Sequence, residues 1–261
     1  MVANKNREPP RVRSLASAGS VVDKIPVQLS YQIIKHFSAG LYTSPNKAIE
    51  ELVANSYDAW ATHVEVILPD SLASSDATIL VIDDGESMDV DGFKELWRIG
   101  ETKKREPGCE SPERPPIGKF GIGKLATYVL AKELTYVCKK NGSYRAVTMD
   151  FSKLEERPGR RSLRLNVRRL SQGEAKRALL AVLSSDQRPS TPIRLFDKDA
   201  AKKWTVAAMG NLTPLARKLT PGRLKYVLRT ALPINPQFTL FFNGEKLEPE
   251  KVDRQDRKSV V

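Results

Sequence analysis

Apolar positions give the first outline of the chain. From Pro26 to Ala39, Val27, Leu29, Ile33, Ile34 and Phe37 recur at mainly helical spacing before Gly40, which predicts a first helix. Ser44 followed by Pro45 reads as an N-cap with proline in the first turn, opening a second helix through "NKAIEELVANSYDAWA". "HVEVIL" and "TILVID" are β-branched runs with turn-forming residues between them, as in neighbouring strands. "ELTYVCKK" and "SYRAVTMDF" flank Asn141-Gly142, the signal of a hairpin. "KWTVAAMGNL" and "QFTLFFNGEKL" add two strands, with a helix over "TPGRLKYVLRTAL" between them, and "LATYVLA" reads as the start of a buried helix.

The polar stretches divide this outline. Residues 1–21 are rich in Asn, Lys, Arg, Pro and Ser and predict a basic flexible arm, and residues 251–261 a charged tail. The segment from about 86 to 117 is helical at first, then charged and proline-rich, which predicts a long lid. The stretch from about 153 to 200, with Arg157, Arg160, Arg161, Arg164, Arg168, Arg169, Lys176 and Arg177, is the most basic. It reads either as a solvated edge strand followed by an amphipathic helix or as a polyanion-binding patch.

Composition narrows the class. The 261 residues, 40% of them hydrophobic, suit one domain with tails. Cys109 and Cys138 are far apart and form no C-x-x-C, so neither a disulfide framework nor a zinc site is expected. No apolar run approaches the roughly 20 residues of a membrane span, and the opening residues lack the apolar core of a secretory signal, so a cytoplasmic protein is expected. A formal charge of +12 favours polyanions and nucleotides, with nucleic acid as a candidate partner through the basic surface.

Three stretches carry candidate chemistry. Glu51 and Asn55 lie one helical turn apart, so a carboxylate that deprotonates water and an amide oxygen that ligates Mg²⁺ share a face; a solvated polar stripe has the same pattern. "VIDDGESM" runs an apolar strand into Asp83 and Gly85, where a carboxylate can accept from an adenine amino group beside Met88; a plain acidic turn also reads this way. "PIGKFGIGKLA" places Gly118, Gly121 and Gly123 before a helix, which lets backbone N–H groups converge on phosphate. Gly118, Gly123 and Lys124 also fit G-x-x-x-x-G-K, but Leu125 stands where a P-loop needs Ser or Thr, and "ERPP" is no central strand.

In this order and spacing, "EELVANSYDA", "IDDGESM" and "IGKFGIGK" resemble the three motifs of the GHKL ATPases, the superfamily of gyrase B, heat-shock-90 chaperones, histidine kinases and MutL. The style of "FGIGK" is similar to the heat-shock-90 and microrchidia types. The resemblance runs over about residues 22–250 and implies an α+β, two-layer α/β sandwich (the Bergerat fold), a mixed sheet covered on one face by helices. It implies ATP and Mg²⁺ as cofactors, Glu51 as general base and Asn55 as metal ligand. Asp83, Gly85, Met88 and Thr205 would hold the base, and Gly118, Lys119, Phe120, Gly121, Ile122, Gly123 and Lys124 the phosphates. "GETKK" adds Thr102 and Lys103 as phosphate contacts. Ser87 stands where the second motif usually has a second glycine. Related ATPases complete their sites with a Lys or Arg from a following domain, so slow hydrolysis by this chain alone is expected.

The implied function is an ATP-hydrolysing, nucleotide-gated clamp acting on nucleic acid or protein clients, as part of a larger protein and with ATP-dependent homodimerisation. The alternatives are a nucleotide-sensing module without useful turnover, against which Glu51 argues, and a basic nucleic-acid-binding protein. His36 and His63, the only histidines, lack the setting of a phosphoacceptor and are expected to be structural.

Overall fold

The computed structural model describes residues 15, 17–28, 44–97, 114–117, 126–155, 162–183, 195–196, 200–234 and 237–249. The apolar stripe of "NKAIEELVANSYDA" forms helix α1, Pro45–Asp58, with Pro45 in its first turn as expected. Its face of Ala48, Ile49, Leu52, Val53 and Tyr57 is buried. Two strands follow, β2 (His63–Ile67) and β3 (Ile79–Asp83), paired antiparallel. Every residue of β3 is buried, and the two-residue period explains why. Ile79 and Val81 point into one core with α1, whereas Leu80 and Ile82 point into a second core on the opposite face.

Helix α2, Val90–Leu96, is capped by Asp89, whose side chain accepts from the Gly92 N–H at 2.9 Å. Strands β4 (Ala131–Lys140) and β5 (Ser143–Asp150) make the expected hairpin, with Asn141 at φ 50° and Gly142 at φ 70° supplying its turn. Strand β6 (Ser162–Leu170) leads into helix α3 (Gln172–Val182) through a capping box of Ser171 and Glu174. Strand β7 (Trp204–Leu212), helix α4 (Pro221–Ala231) and the hairpin β8 (Thr239–Phe242) to β9 (Glu245–Leu247) complete the described elements.

With β1, Ser20–Gln28, the strands form one mixed sheet ordered β1-β6-β5-β4-β7-β3-β2-β8-β9, in which β2 and β8 run parallel. This is the α+β architecture expected. Helices α1 and α4 lie in the core on one face. The other face is not bare: Ala175, Ala178, Leu179 and Val182 of α3 pack there with Leu15, Ile82 and Trp204.

The structure also bears on several local readings. Pro26–Gln28 belong to β1 rather than to a helix, because the ladder to Ser162–Arg164 of β6 claims their backbone; the remainder of that expected helix lies outside the described residues. Of "LATYVLA", Ala126 is helical and Thr127–Val129 form a 3₁₀ turn before β4 begins at Ala131, and Leu125 lies outside the described residues. The basic strand β6 is internal, flanked by β1 and β5, and β1 is the edge. Ser20 and Val21, at the end of the expected arm, are strand residues, and Leu15 is buried.

Candidate functional site

The site grows from the C-terminal half of α1 and the end of β3. Asp83, the last residue of β3, faces the α1 side of the sheet and is buried. One carboxylate oxygen accepts from the Gly85 N–H at 3.0 Å and the other from the Ser56 hydroxyl at 3.0 Å. Ser56 follows Asn55 on α1, so this bond ties the helix of the first motif to the strand end of the second. Burial pushes the Asp83 carboxyl from the ordinary 3.8 up to about 7, against the lowering effect of those two donors.

Gly85 is demanded by close approach. A Cβ there would sit 2.6 Å from the Ala59 carbonyl oxygen and 3.0 Å from the Ala61 nitrogen, both backbone atoms just past the end of α1. The neighbouring Asp84 anchors the same corner, accepting from Thr62 and His63 N–H groups at 2.7 and 2.8 Å and from the Thr62 hydroxyl at 2.6 Å. His63 Nδ1 lies 3.0 Å from Asp84, which gives this histidine the structural setting expected of it.

One rung of the sheet carries the polar floor. Asp83 pairs with Thr205 of β7, and Thr205 with Cys138 of β4. Ser87 is buried behind this rung and donates to the Trp204 carbonyl oxygen at 2.7 Å, while the Thr205 hydroxyl donates to Ser87 Oγ at 3.3 Å. Burial pushes the Cys138 thiol up to about 12, so it stays protonated. Met88 is partly buried against the same core.

Glu51 and Asn55 are both half-buried on α1. One turn beyond Asn55, the Asp58 carboxylate accepts from the Ile117 N–H at 2.8 Å. Arg114 donates to the Ala61 carbonyl oxygen at 2.7 Å and lies 4.0 Å from the Tyr57 ring centroid, with Trp60 at 5.6 Å and Phe238 at 5.4 Å. Residues 114–117, which lead into the glycine cluster, are therefore fastened to the end of α1. At the other end of the expected lid, Phe93 and Trp97 are core residues.

The structure thus brings Asp83, Gly85, Thr205 and the α1 segment holding Asn55 and Ser56 to one corner of the fold. Thr102, Lys103, Gly118, Lys119, Phe120, Gly121, Ile122, Gly123 and Lys124 lie outside the described residues. Sequence reasoning missed Ser56, Asp58 as an anchor, Arg114 and Cys138. The position of Ser56, beside Asn55 and one turn after Leu52, was the available signal for the first of these. Among the described residues no group of three His, Cys, Asp or Glu side chains is placed to hold a metal ion. The half-buried amide of Asn55 has the chemistry to take one position on a magnesium ion whose other ligands are phosphate and water oxygens. No helix among the described residues is long and apolar enough to cross a membrane.

A family model described as histidine kinase-, DNA gyrase B- and HSP90-like ATPase matches residues 42–178, more than half of the chain. The chain is also similar to a protein of Herpetosiphon aurantiacus named "Putative type II restriction enzyme HgiDII". The two are 30% identical over 115 residues, which cover 43% of this chain and 18% of that protein. The aligned part is therefore a small portion of that relative.

Proposed function

The chain belongs to the histidine kinase-, DNA gyrase B- and HSP90-like ATPases, and from that premise we propose that it binds ATP with Mg²⁺ and hydrolyses it. The observation that carries this reading is the buried Asp83, held by Ser56 of α1 and paired across the sheet with Thr205.

Each residue has a role that its surroundings suit. Ionised Asp83 accepts from the exocyclic amino group of adenine, with Ser56 and the Gly85 N–H fixing its plane. Gly85 and Met88 border the base, and Thr205 adds a hydroxyl beside the carboxylate. Asn55 offers its amide oxygen to the metal. Glu51, one turn earlier on α1, orients the attacking water and takes its proton as the water oxygen bonds to the γ-phosphorus and the bond from that phosphorus to the departing ADP oxygen breaks. Magnesium, when bound there, would supply positive charge that offsets the charge of the phosphates. Gly118, Gly121 and Gly123, with Lys119, Phe120, Ile122 and Lys124, form the phosphate loop, and Thr102 and Lys103 add phosphate contacts.

The wider reading is a cytoplasmic, nucleotide-gated clamp that dimerises with ATP and acts on nucleic acid. Support for the client comes from the +12 charge and from the name of the HgiDII relative. The deciding test is Glu51→Ala, assayed for ATP binding by calorimetry and for phosphate release. Retained binding with phosphate release lowered about a hundredfold or more is expected of a general base; unchanged turnover would remove Glu51 from the chemistry. Binding without turnover in the wild-type chain would favour the nucleotide-sensing alternative.

A further inference from the structure

Ser87 occupies the position where the second motif usually has glycine, and its surroundings assign it a use. Its hydroxyl has one proton, and the Trp204 carbonyl oxygen, which can only accept, takes it at 2.7 Å. Ser87 Oγ is thereby left to accept from Thr205 Oγ1 at 3.3 Å. The other neighbour of both hydroxyls is the Cys138 thiol, paired with Thr205 on the same rung and fully buried. The proton of Thr205 therefore goes to Ser87 Oγ, a much better acceptor than the sulfur of a neutral, buried thiol. Asp83 is turned the same way, its inward donors being Ser56 and Gly85.

We propose that Ser87 is a specificity-determining residue that holds the Thr205 proton inward, so that the edge formed by Asp83 and Thr205 accepts hydrogen bonds and offers none. Such an edge takes a 6-amino purine, whose amino group donates, and rejects a 6-oxo purine, whose carbonyl would face two acceptors. The selectivity is strong because an unpaired buried acceptor costs more than a paired one returns. The inference deepens the proposed function and rests on Asp83 meeting the purine. The backbone accommodates the serine: Ser87 is not among the described non-glycine residues of positive φ, which are Trp60, Asn141, Asn211 and Asn243.

The experiment compares ATP with ITP at about pH 8.5, where Asp83 is ionised, on the same protein sample by calorimetry, so that any unfolded fraction cancels in the ratio of Kd values. Wild type is expected to prefer ATP by about a hundredfold or more. Ser87→Gly, or Ser87→Ala if the glycine variant folds poorly, frees the Thr205 proton to donate outward and should narrow that ratio about tenfold. In a Thr205→Val background, which has no hydroxyl to release, the Ser87 substitution should leave the ratio where Thr205→Val alone sets it. A ratio that Ser87→Gly and Ser87→Ala leave unchanged would overturn the proposal, as would a shift that persists in the Thr205→Val background. Equal binding of ATP and ITP by wild type would end the selectivity inference while leaving the purine site standing. No binding of either nucleotide would end both.

Discussion

Replacing Asp83 with asparagine separates the cost of the site from its use. Asp83 is 6% exposed, and burial holds its carboxyl at about 7 against an ordinary 3.8. A rise of that size corresponds to about 4 kcal/mol of destabilisation once the group is ionised. Because the folded value is the higher one, the folded chain binds the extra proton between those limits. Its contribution to stability is full below about pH 4 and is lost as pH rises through about 7. Asparagine keeps a carbonyl oxygen for the Gly85 N–H, and Ser56 can give its proton to Leu52, whose carbonyl oxygen is 3.2 Å away.

Urea denaturation of the nucleotide-free chain is therefore expected to show Asp83→Asn gaining on wild type between about pH 5 and 8, by about 3 kcal/mol. Glu65 titrates in the same window and stays in both proteins, so the difference between them belongs to position 83. Nucleotide binding should run the other way. Adenine needs the ionised acceptor, so wild-type affinity for ATP should improve about tenfold per pH unit below about 7 and level off above it. The variant should bind weakly with no such slope. A stability difference that does not change with pH, or an ATP affinity flat from about pH 5.5 to 7, would mean that Asp83 ionises normally and that burial does not set its chemistry.

Other substitutions probe the scaffold. Gly85→Ala would drive a Cβ into the Ala59 carbonyl and should cost about 3 kcal/mol in urea denaturation, with a loss under about 0.5 kcal/mol counting against the close packing. Arg114→Lys removes a planar guanidinium from the rings of Tyr57, Trp60 and Phe238; a loss of about 1–2 kcal/mol is expected, together with weaker binding of ATP than of adenosine relative to wild type. Burial raises Glu65 to about 7 although the Gly244 N–H donates to it, so Glu65→Gln should stabilise the chain above about pH 7 by up to about 2 kcal/mol. The same comparison near pH 5 should show no gain, since the wild-type carboxyl is then neutral in the folded state.

What could be read from the sequence was what neighbouring residues decide. The α1 stripe, the β-branched run of β3 and the Asn141-Gly142 turn are short-range signals, and the structure returns each of them. Asn243-Gly244 carries the same turn signal, with φ of 48° and 80°, and splits "QFTLFFNGEKL" into a hairpin where one strand was expected. Pro26–Gln28 failed because the deciding partner, β6, is remote in sequence and helical spacing carries no trace of it. The same division runs through the site. Glu51 and Asn55 show themselves by a one-turn spacing, and Asp83 by standing at the end of an apolar strand. Ser56 acquires meaning only when Asp83, 27 residues on, folds against it, and Ser87 only when Trp204 arrives from 117 residues away. In sequence Ser87 is a missing glycine. In the fold its hydroxyl has a carbonyl to satisfy and a neighbouring hydroxyl to orient, so an apparent defect in the motif becomes a polar group with defined partners. Residues that meet a ligand tend to sit at spacings dictated by one element, whereas residues that orient them are recruited from whichever strand the sheet places alongside.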